Sequence, residues 1–366
     1  MKYPKNILVV AMSLLLLAAC GANAQEGSAS KKAEPVDSAT ATAPIDTITI
    51  AMSGDLMFGT DWPTTQLAAN DGKHLLQHTA PITSAATLAV GNLEGVFCSD
   101  DVPPNNPDTH FYSFRFPARY APRLTEAGYD FMCIANNHTY DFREEGQRQT
   151  EAVLDEHGIA YSGIKGHPEY AIIERSGIKF GVCAFGHNWY SVQHIDLANV
   201  ERVLKALRPK CDILVVTFHG GAEGTEYRHL PQGEEFYLNA SRGSLRKMAH
   251  YCVDLGADVV FGHGPHVVRC MELYKDRLIA YSLGNFCTPY SMGLAGIKGY
   301  APLLVERVGR DGRFIDAQIH SFIQQKGTGP LPDPQNLAAK EIRSLTESDI
   351  ENNQLTITDD GKVFSK

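Results

Sequence analysis

TITIAMSGD (47–55) alternates threonine with isoleucine, turns apolar, and stops on a glycine followed by a carboxylate. That is the pattern of a buried strand ending in a turn. The same design repeats outward from it. TLAVGN (87–92), FMCIAN (131–136), KFGVCAFG (179–186), ILVVTFHG (213–220) and DVVFGHG (258–264) are short apolar runs that end on glycine or a polar side chain. Between them lie stretches with helical spacing, near 118–128, 143–157, 196–208 and 234–256. Strand and helix in alternation predict a layered α/β fold with a largely parallel sheet. Later runs, VVRCMELY (267–274), RLIAYSLGN (277–285), PLLVERVG (302–309) and RFIDAQIHSFI (313–323), read as strands without helices between them, and the turn GRDGR joins the last two. They predict a second sheet, mixed or antiparallel.

The 366 residues are 43% hydrophobic and 20% charged, enough for one or two domains with a full-sized core. Disorder and collagen-like structure are excluded. A net charge of −9, a pI near 5.9 and no dense Lys/Arg run beyond the first few residues argue against nucleic acid as a partner. Lys2 and Lys5 precede an apolar run over 7–19, short for a membrane span but right for a signal-peptide core, so the chain reads as exported. Two cleavage readings compete. Leu17-Ala18-Ala19-Cys20 resembles a lipobox, making Cys20 the lipidated first residue of a membrane-anchored envelope lipoprotein; Ala22-Asn23-Ala24 fits ordinary secretory cleavage. The organisation expected is a signal peptide (1–19), a flexible tether (20–46), a body (47–325) and a polar, peripheral tail (326–366).

Of eight cysteines, removing Cys20 leaves seven, an odd number, and Cys133, Cys183, Cys211 and Cys252 lie in or beside apolar stretches that suit small core residues. One or two bridges are compatible with export, and Cys98, in a polar loop, is the first candidate to pair or react.

Five strand ends carry chemistry: Gly54-Asp55, Gly91-Asn92-Leu93-Glu94, Ala135-Asn136-Asn137-His138, His219-Gly220-Gly221 and Gly262-His263-Gly264-Pro265-His266. The carboxyl edge of an open α/β sheet is where such folds build sites. Carboxylate, amide and imidazole without thiolate suit divalent Mn, Fe, Zn or Mg. Any one of these ends alone is an ordinary turn; five in order are harder to dismiss. A bound divalent ion acidifies water and polarises a phosphoryl or carbonyl oxygen. Neither GxSxG nor GxxxxGK[ST] occurs.

GDLMFG, GNLEG, ANNHTYDF, FHGGAEG, GADVVFGHGPHV and IAYSLGNF, in this order over about 47–325, resemble the motif series of the CapA-type capsule and poly-γ-glutamate synthesis family, itself similar to calcineurin-like metallophosphoesterases. The resemblance implies a four-layer αββα sandwich, two mixed sheets flanked by helices, with one or two divalent ions held at the strand ends. It implies Asp55, Glu94, Asn137, His219, His263 and His266 as metal ligands, with Asp55, Glu94, Asn137, His219 and His266 the better bets, and His138 as the catalytic acid or electrostatic stabiliser. Asp141 either orients His138 or is a surface residue at a helix start. Arg115, Glu223, Asn285, Glu226 and Tyr227 are candidates for holding substrate or lining the pocket; ordinary turn or loop polarity is the competing reading. Two departures stand out: the phosphoesterase Asp-x-His is Asp55-Leu56-Met57, and the closing Gly-His-x-His is stretched to Gly262-His263-Gly264-Pro265-His266, leaving open which imidazole meets which ion. The implied function is metal-dependent hydrolase-like work in assembly, transfer or release of an anionic polymer, with that polymer or its synthesis and export machinery as partner. A non-catalytic subunit of the export machine and a true phosphoesterase are the alternatives.

Overall fold

The computed structural model describes residues 47–108, 112–290 and 292–366; the signal segment, Cys20 and the tether lie outside them. Pro44–Lys366 forms one compact unit. Its first strand, Ile48–Leu56, sits near the centre of a nine-stranded mixed sheet. Leu88–Leu93, Phe131–Cys133 and Ala160–Ser162 extend the sheet in parallel on one side. Leu303–Val308, Phe314–His320, Lys362–Ser365 and Leu355–Ile357 continue it antiparallel on the other. The second sheet, also mixed, has six strands. Ile178–Phe185, Ile213–His219, Val259–His263 and Arg277–Ala280 run parallel, and Tyr170–Arg175 and Met271–Tyr274 close its edges antiparallel.

Strand periodicity decides which side chains meet which layer. Ile48, Ile50, Met52, Leu88, Val90, Phe131 and Cys133 share a core with the second sheet, while Ala51, Ala89 and Met132 pack with Leu124 and Leu154 of the helical layer. Each large apolar side chain so buried contributes about 1.5–3 kcal/mol. Leu197–Leu207 and Leu245–Asp254 cover the second sheet with Val200, Leu204, Leu207, Met248 and Cys252. The sandwich of two mixed sheets between helices is the architecture expected.

Three expectations are corrected. The stretch 234–256 is not one helix: Glu235–Tyr237 and Ala240–Gly243 form a hairpin, and the helix starts at Leu245. Leu238 and Asn239 take left-handed backbone conformations (φ 48° and 62°), which make the hairpin turn and which no helix tolerates. The tail is not peripheral. Leu337–Asp349 buries Ala338, Ala339, Ile342 and Leu345, Thr346 Oγ1 accepts from Met271 N at 2.9 Å, and the last two strands pair onto the first sheet. Its Ala-Ala and Ile-Leu positions form an apolar stripe that the surrounding charge hides. Cys98 is neither paired nor reactive: it packs with Val96, Val102 and Phe142, and burial pushes its thiol up to about 12. All seven cysteines among the described residues are free.

Candidate metal centre

Register brings the polar strand ends together. In the first sheet Asp55 pairs laterally with Asn92 on one neighbour and with Asn285 on the other. In the second sheet His219 stands beside His263. The close approach at Asp55 depends on Gly54, where a Cβ would lie 1.9 Å from the Gly284 carbonyl oxygen.

Asp55 is fully buried. Its Oδ1 accepts from Asn92 Nδ2 at 2.8 Å and its Oδ2 from His266 Nδ1 at 2.9 Å. The same Asn92 amide donates to Glu94 Oε2 at 2.5 Å. Asn136 Nδ2 in turn donates to Asn92 Oδ1 (2.9 Å) and to the Leu93 carbonyl (2.7 Å), fixing which way the Asn92 amide points. Asn92 and Asn136 therefore orient two carboxylates, a role that sequence reasoning missed even though both lie inside the motifs it quoted. Parity on the strand was the available signal, since Asn92 is the residue level with Asp55.

Glu94 and His219 meet across the two sheets, Oε2 to Nδ1 at 3.6 Å. His219 Nδ1 and His263 Nδ1 stand 3.2 Å apart, and His263 Nε2 lies 3.0 Å from Thr217 Oγ1. Burial, then the Asp55 charge, push the Glu94 carboxyl up to about 8. Burial, then neighbouring His263, hold His219 well below the imidazole range, and burial brings His263 down to about 4. Both imidazoles are thus neutral at pH 7, the form that binds metal. Glu94 Oε1, Asn137 Oδ1 and His219 Nε2 are buried with no partner among the described residues.

Without a metal, Asp55 is balanced by the charged His266 ring and Glu94 stays largely protonated, so a divalent ion would bring Glu94 into its carboxylate form. Ligand atoms of Asp55, His219 and His263 lie within 4.8 Å of one another. Donor atoms on one divalent ion, each at about 2.0–2.2 Å, have spacings of this order. The residues present fit a divalent ion held by Asp55, His219 and His263, with Glu94 and Asn137 aiming unused oxygens nearby. Of the stretched histidine pair, His263 joins this group. His266 instead lines the adjoining cavity with its backbone in the left-handed region (φ 58°) and its ring tied to Asp55, which outweighs burial and raises it to about 9.

The cavity encloses about 460 Å³ and is lined by Asn137, His138, Glu223, Arg242, His266 and Asn285 among others. His138 Nδ1 donates to Asp141 Oδ2 at 2.8 Å, while its Nε2 is 3.8 Å from Glu94 Oε1. Burial opposes charge on His138, but Asp141 prevails and raises its pKa. Asp141 is itself nearly enclosed and also accepts from Phe114 N, so it orients the ring and is not a surface residue. Asn285 Nδ2 donates to the His266 and Lys298 carbonyls, leaving Oδ1 without a partner.

Arg115 is not brought to the site. Its Nε donates to Asp61 at 2.5 Å, its Nη1 to the carbonyls of Ser99, Asp100 and Val102, and its plane lies 4.8 Å from the Phe142 ring centre. A guanidinium so committed holds a loop in place, and it is absent from the cavity lining. Glu226 and Tyr227 lie in an exposed turn outside the cavity lining. His187, unremarked in the sequence, lies two residues past the end of the strand Ile178–Phe185 and stacks on His219. It and His194 both donate to the His219 carbonyl, at 3.3 and 3.1 Å. The strand-end pattern would have found His187, had it been applied there. Arg242, also missed, stands on the unforeseen hairpin.

The model of the family described as bacterial capsule synthesis protein PGA_cap matches residues 49–290. The chain is 26% identical over 258 residues to the capsule biosynthesis protein CapA of Bacillus anthracis, covering 65% of this chain and 59% of that protein. It is 25% identical over 259 residues to the PGA biosynthesis protein CapA of Bacillus subtilis (strain 168), covering 66% and 63%. The matched region spans about three-fifths of the length of these relatives. Similar solved structures include a 5'-nucleotidase precursor from Thermus thermophilus (TM-score 0.44, 11% identity, 82% of this chain and 58% of that one). Another is a purple acid phosphatase from yellow lupin seeds (TM-score 0.38, 9% identity, 80% and 58%). The matched span runs from the first strand through the strand that carries Asn285, taking in every residue of the buried constellation, and the chain belongs to the bacterial capsule synthesis protein PGA_cap family.

Proposed function

We propose that this protein is an exported, lipid-anchored, divalent-metal hydrolase-like protein that acts on an anionic polymer of the capsule or poly-γ-glutamate type during its assembly, transfer or release. The observation that carries the proposal is the buried convergence of Asp55, Glu94, His219 and His263 beside acceptor atoms left without partners. A divalent ion bound there supplies an acidified water and a polarised acyl or phosphoryl oxygen. The chain's own groups do the rest. Asn92 holds both carboxylates in position, and the Asp141-oriented His138 has its Nε2 free to carry a proton at the cavity wall. With a net charge of −9, the protein engages a polyanion locally and not over a broad surface. The motif at Cys20 supports attachment at the envelope, close to polymer synthesis and export.

Elemental analysis of the purified protein, followed by assays on poly-γ-glutamate and on a generic phosphodiester with Asp55→Ala and His219→Ala controls, tests the proposal. Bound divalent metal and polymer cleavage or transfer lost in both variants are expected. Protein that neither purifies with a divalent metal nor takes one up sinks it. A non-catalytic, metal-stabilised subunit is the second reading, favoured by Met57 in the place of a phosphoesterase histidine. Its side chain is buried, with Sδ accepting from Gly59 N at 3.2 Å. Metal bound without turnover of either substrate is the result that reading predicts.

A further inference from the structure

Arg242 is the buried cation of the cavity, only 6% exposed. Its carbonyl accepts from Gly221 N at 3.0 Å, pinning the hairpin to the bend that follows His219. Its guanidinium carbon lies 5.1 Å from the Tyr237 ring centre. Nη1 forms an ion pair with Glu223 Oε1 at 2.8 Å without hydrogen-bond alignment, and neither Nε nor Nη1 has a hydrogen-bond acceptor among the described residues. The other Glu223 oxygen is 4.0 Å from His266 Nε2. Lys298, also on the cavity lining, has no carboxylate within ion-pair distance among the described residues.

An arginine fork offers two parallel N–H bonds to one carboxylate, and a buried fork whose Nε and Nη1 lack aligned acceptors is incompletely used. We propose that Arg242 is the anchor for a carboxylate of the ligand, that Glu223 occupies this anchor in the free protein, and that binding exchanges one carboxylate for the other. The inference rests on the reading of the cavity as the site of a γ-glutamyl chain. Glu223 itself shows that the place accepts a carboxylate. On release it keeps a neighbour, since His266 Nε2 already faces its second oxygen. Lys298 is available for a second carboxylate, and Tyr112, Tyr237, Leu238 and Met292 offer apolar wall for the methylenes between them. Phosphate could take the same fork but has no methylenes to lie on the apolar wall.

Calorimetric titration of the full chain with a γ-linked glutamate trimer, its neutral amide analogue and inorganic phosphate tests this, both after chelation and with Mn²⁺ added. The trimer is expected to bind more tightly than the other two probes. Arg242→Gln is expected to weaken trimer binding about tenfold or more, as loss of a charge-assisted bidentate contact does. Glu223→Gln, which removes the internal competitor, is expected to strengthen it. Arg228→Gln, a charge change away from the cavity lining, is expected to leave it unaltered. Should Arg242→Gln fail to fold, Glu223→Gln carries the test, because tighter binding is not what a structural lesion produces. An unaltered affinity in Arg242→Gln, weaker binding in Glu223→Gln, preference for phosphate, or no trimer binding at millimolar concentration overturns the inference. The titrations after chelation need neither metal nor turnover, so a protein that binds no metal refutes the hydrolase reading and leaves this one standing.

Discussion

Glu94 Oε2 lies 3.6 Å from His219 Nδ1, and this contact crosses from one sheet to the other. Around it, two carboxyl groups and two neutral imidazoles are enclosed together, a donor set that suits a divalent cation. Adding Mn²⁺ to chelated protein is expected to raise the thermal midpoint, by about 4 kcal/mol of stability at a thousandfold excess over Kd. Glu94→Gln should shrink the gain on adding Mn²⁺, because it removes the carboxyl group that a bound cation would bring into its charged form. Calorimetry of both proteins with and without metal measures it; equal gains would show that Glu94 is no part of the metal environment.

Asp141 acts on the cavity through His138. Asp141→Asn preserves the shape but weakens the grip on Nδ1, and turnover of whichever substrate proves active is expected to fall about 10–100-fold. Its pH profile should shift to lower pH, since Asp141 raises the His138 pKa. A rate loss without that shift assigns Asp141 to folding alone.

Glu306 titrates far from this chemistry. It is fully buried in the strand Leu303–Val308, both carboxylate oxygens lack a partner among the described residues, and burial, reinforced by Asp258, raises its pKa well above 4.5. The native state holds that proton more tightly than the unfolded chain. Its stabilising effect is complete below about 4.5 and is lost as pH climbs through the raised value. Glu306→Gln is therefore expected to raise stability at neutral pH by about 1–3 kcal/mol and to flatten its decline with pH. Urea denaturation at pH 5 and pH 8 reads both effects.

Arg115 holds a loop and not a ligand. Arg115→Ala leaves Asp61 and three carbonyls without their donor, and a loss of about 3 kcal/mol is expected. Trimer affinity in the surviving folded fraction should match the wild type; a selective loss of affinity would return Arg115 to the site.

Asp55, His219 and His263 were legible because strand ends announce themselves: an apolar run stops, and the next side chain sits at the sheet's carboxyl edge. The layered fold was legible for the same reason. Arg242 was not, because its place depends on a hairpin turn built from two left-handed residues, Leu238 and Asn239, that carry no glycine signal. Arg115 was misread because a cation in a polar loop looks the same in sequence whether it faces solvent, substrate or three carbonyls. Spacing alone does not reveal that residue 266 takes a positive φ and bonds Asp55 from the cavity side, while His263 stands beside His219. The apolar stripe of Leu337–Asp349 is short and interrupted by charge, so its docking on both sheets was invisible without the partners it meets.

The strand Ile48–Leu56 has as one lateral neighbour Leu303–Val308, some two hundred and fifty residues downstream, and the edge beyond that is finished by Leu355–Ile357, paired on Lys362–Ser365. A polypeptide emerging from the ribosome thus lacks half of its principal sheet until synthesis is nearly over. Loop closure of that span is slow relative to local helix formation. The first sheet therefore cannot close until the carboxyl-terminal strands have been made, however early the strands between 170 and 280 find one another.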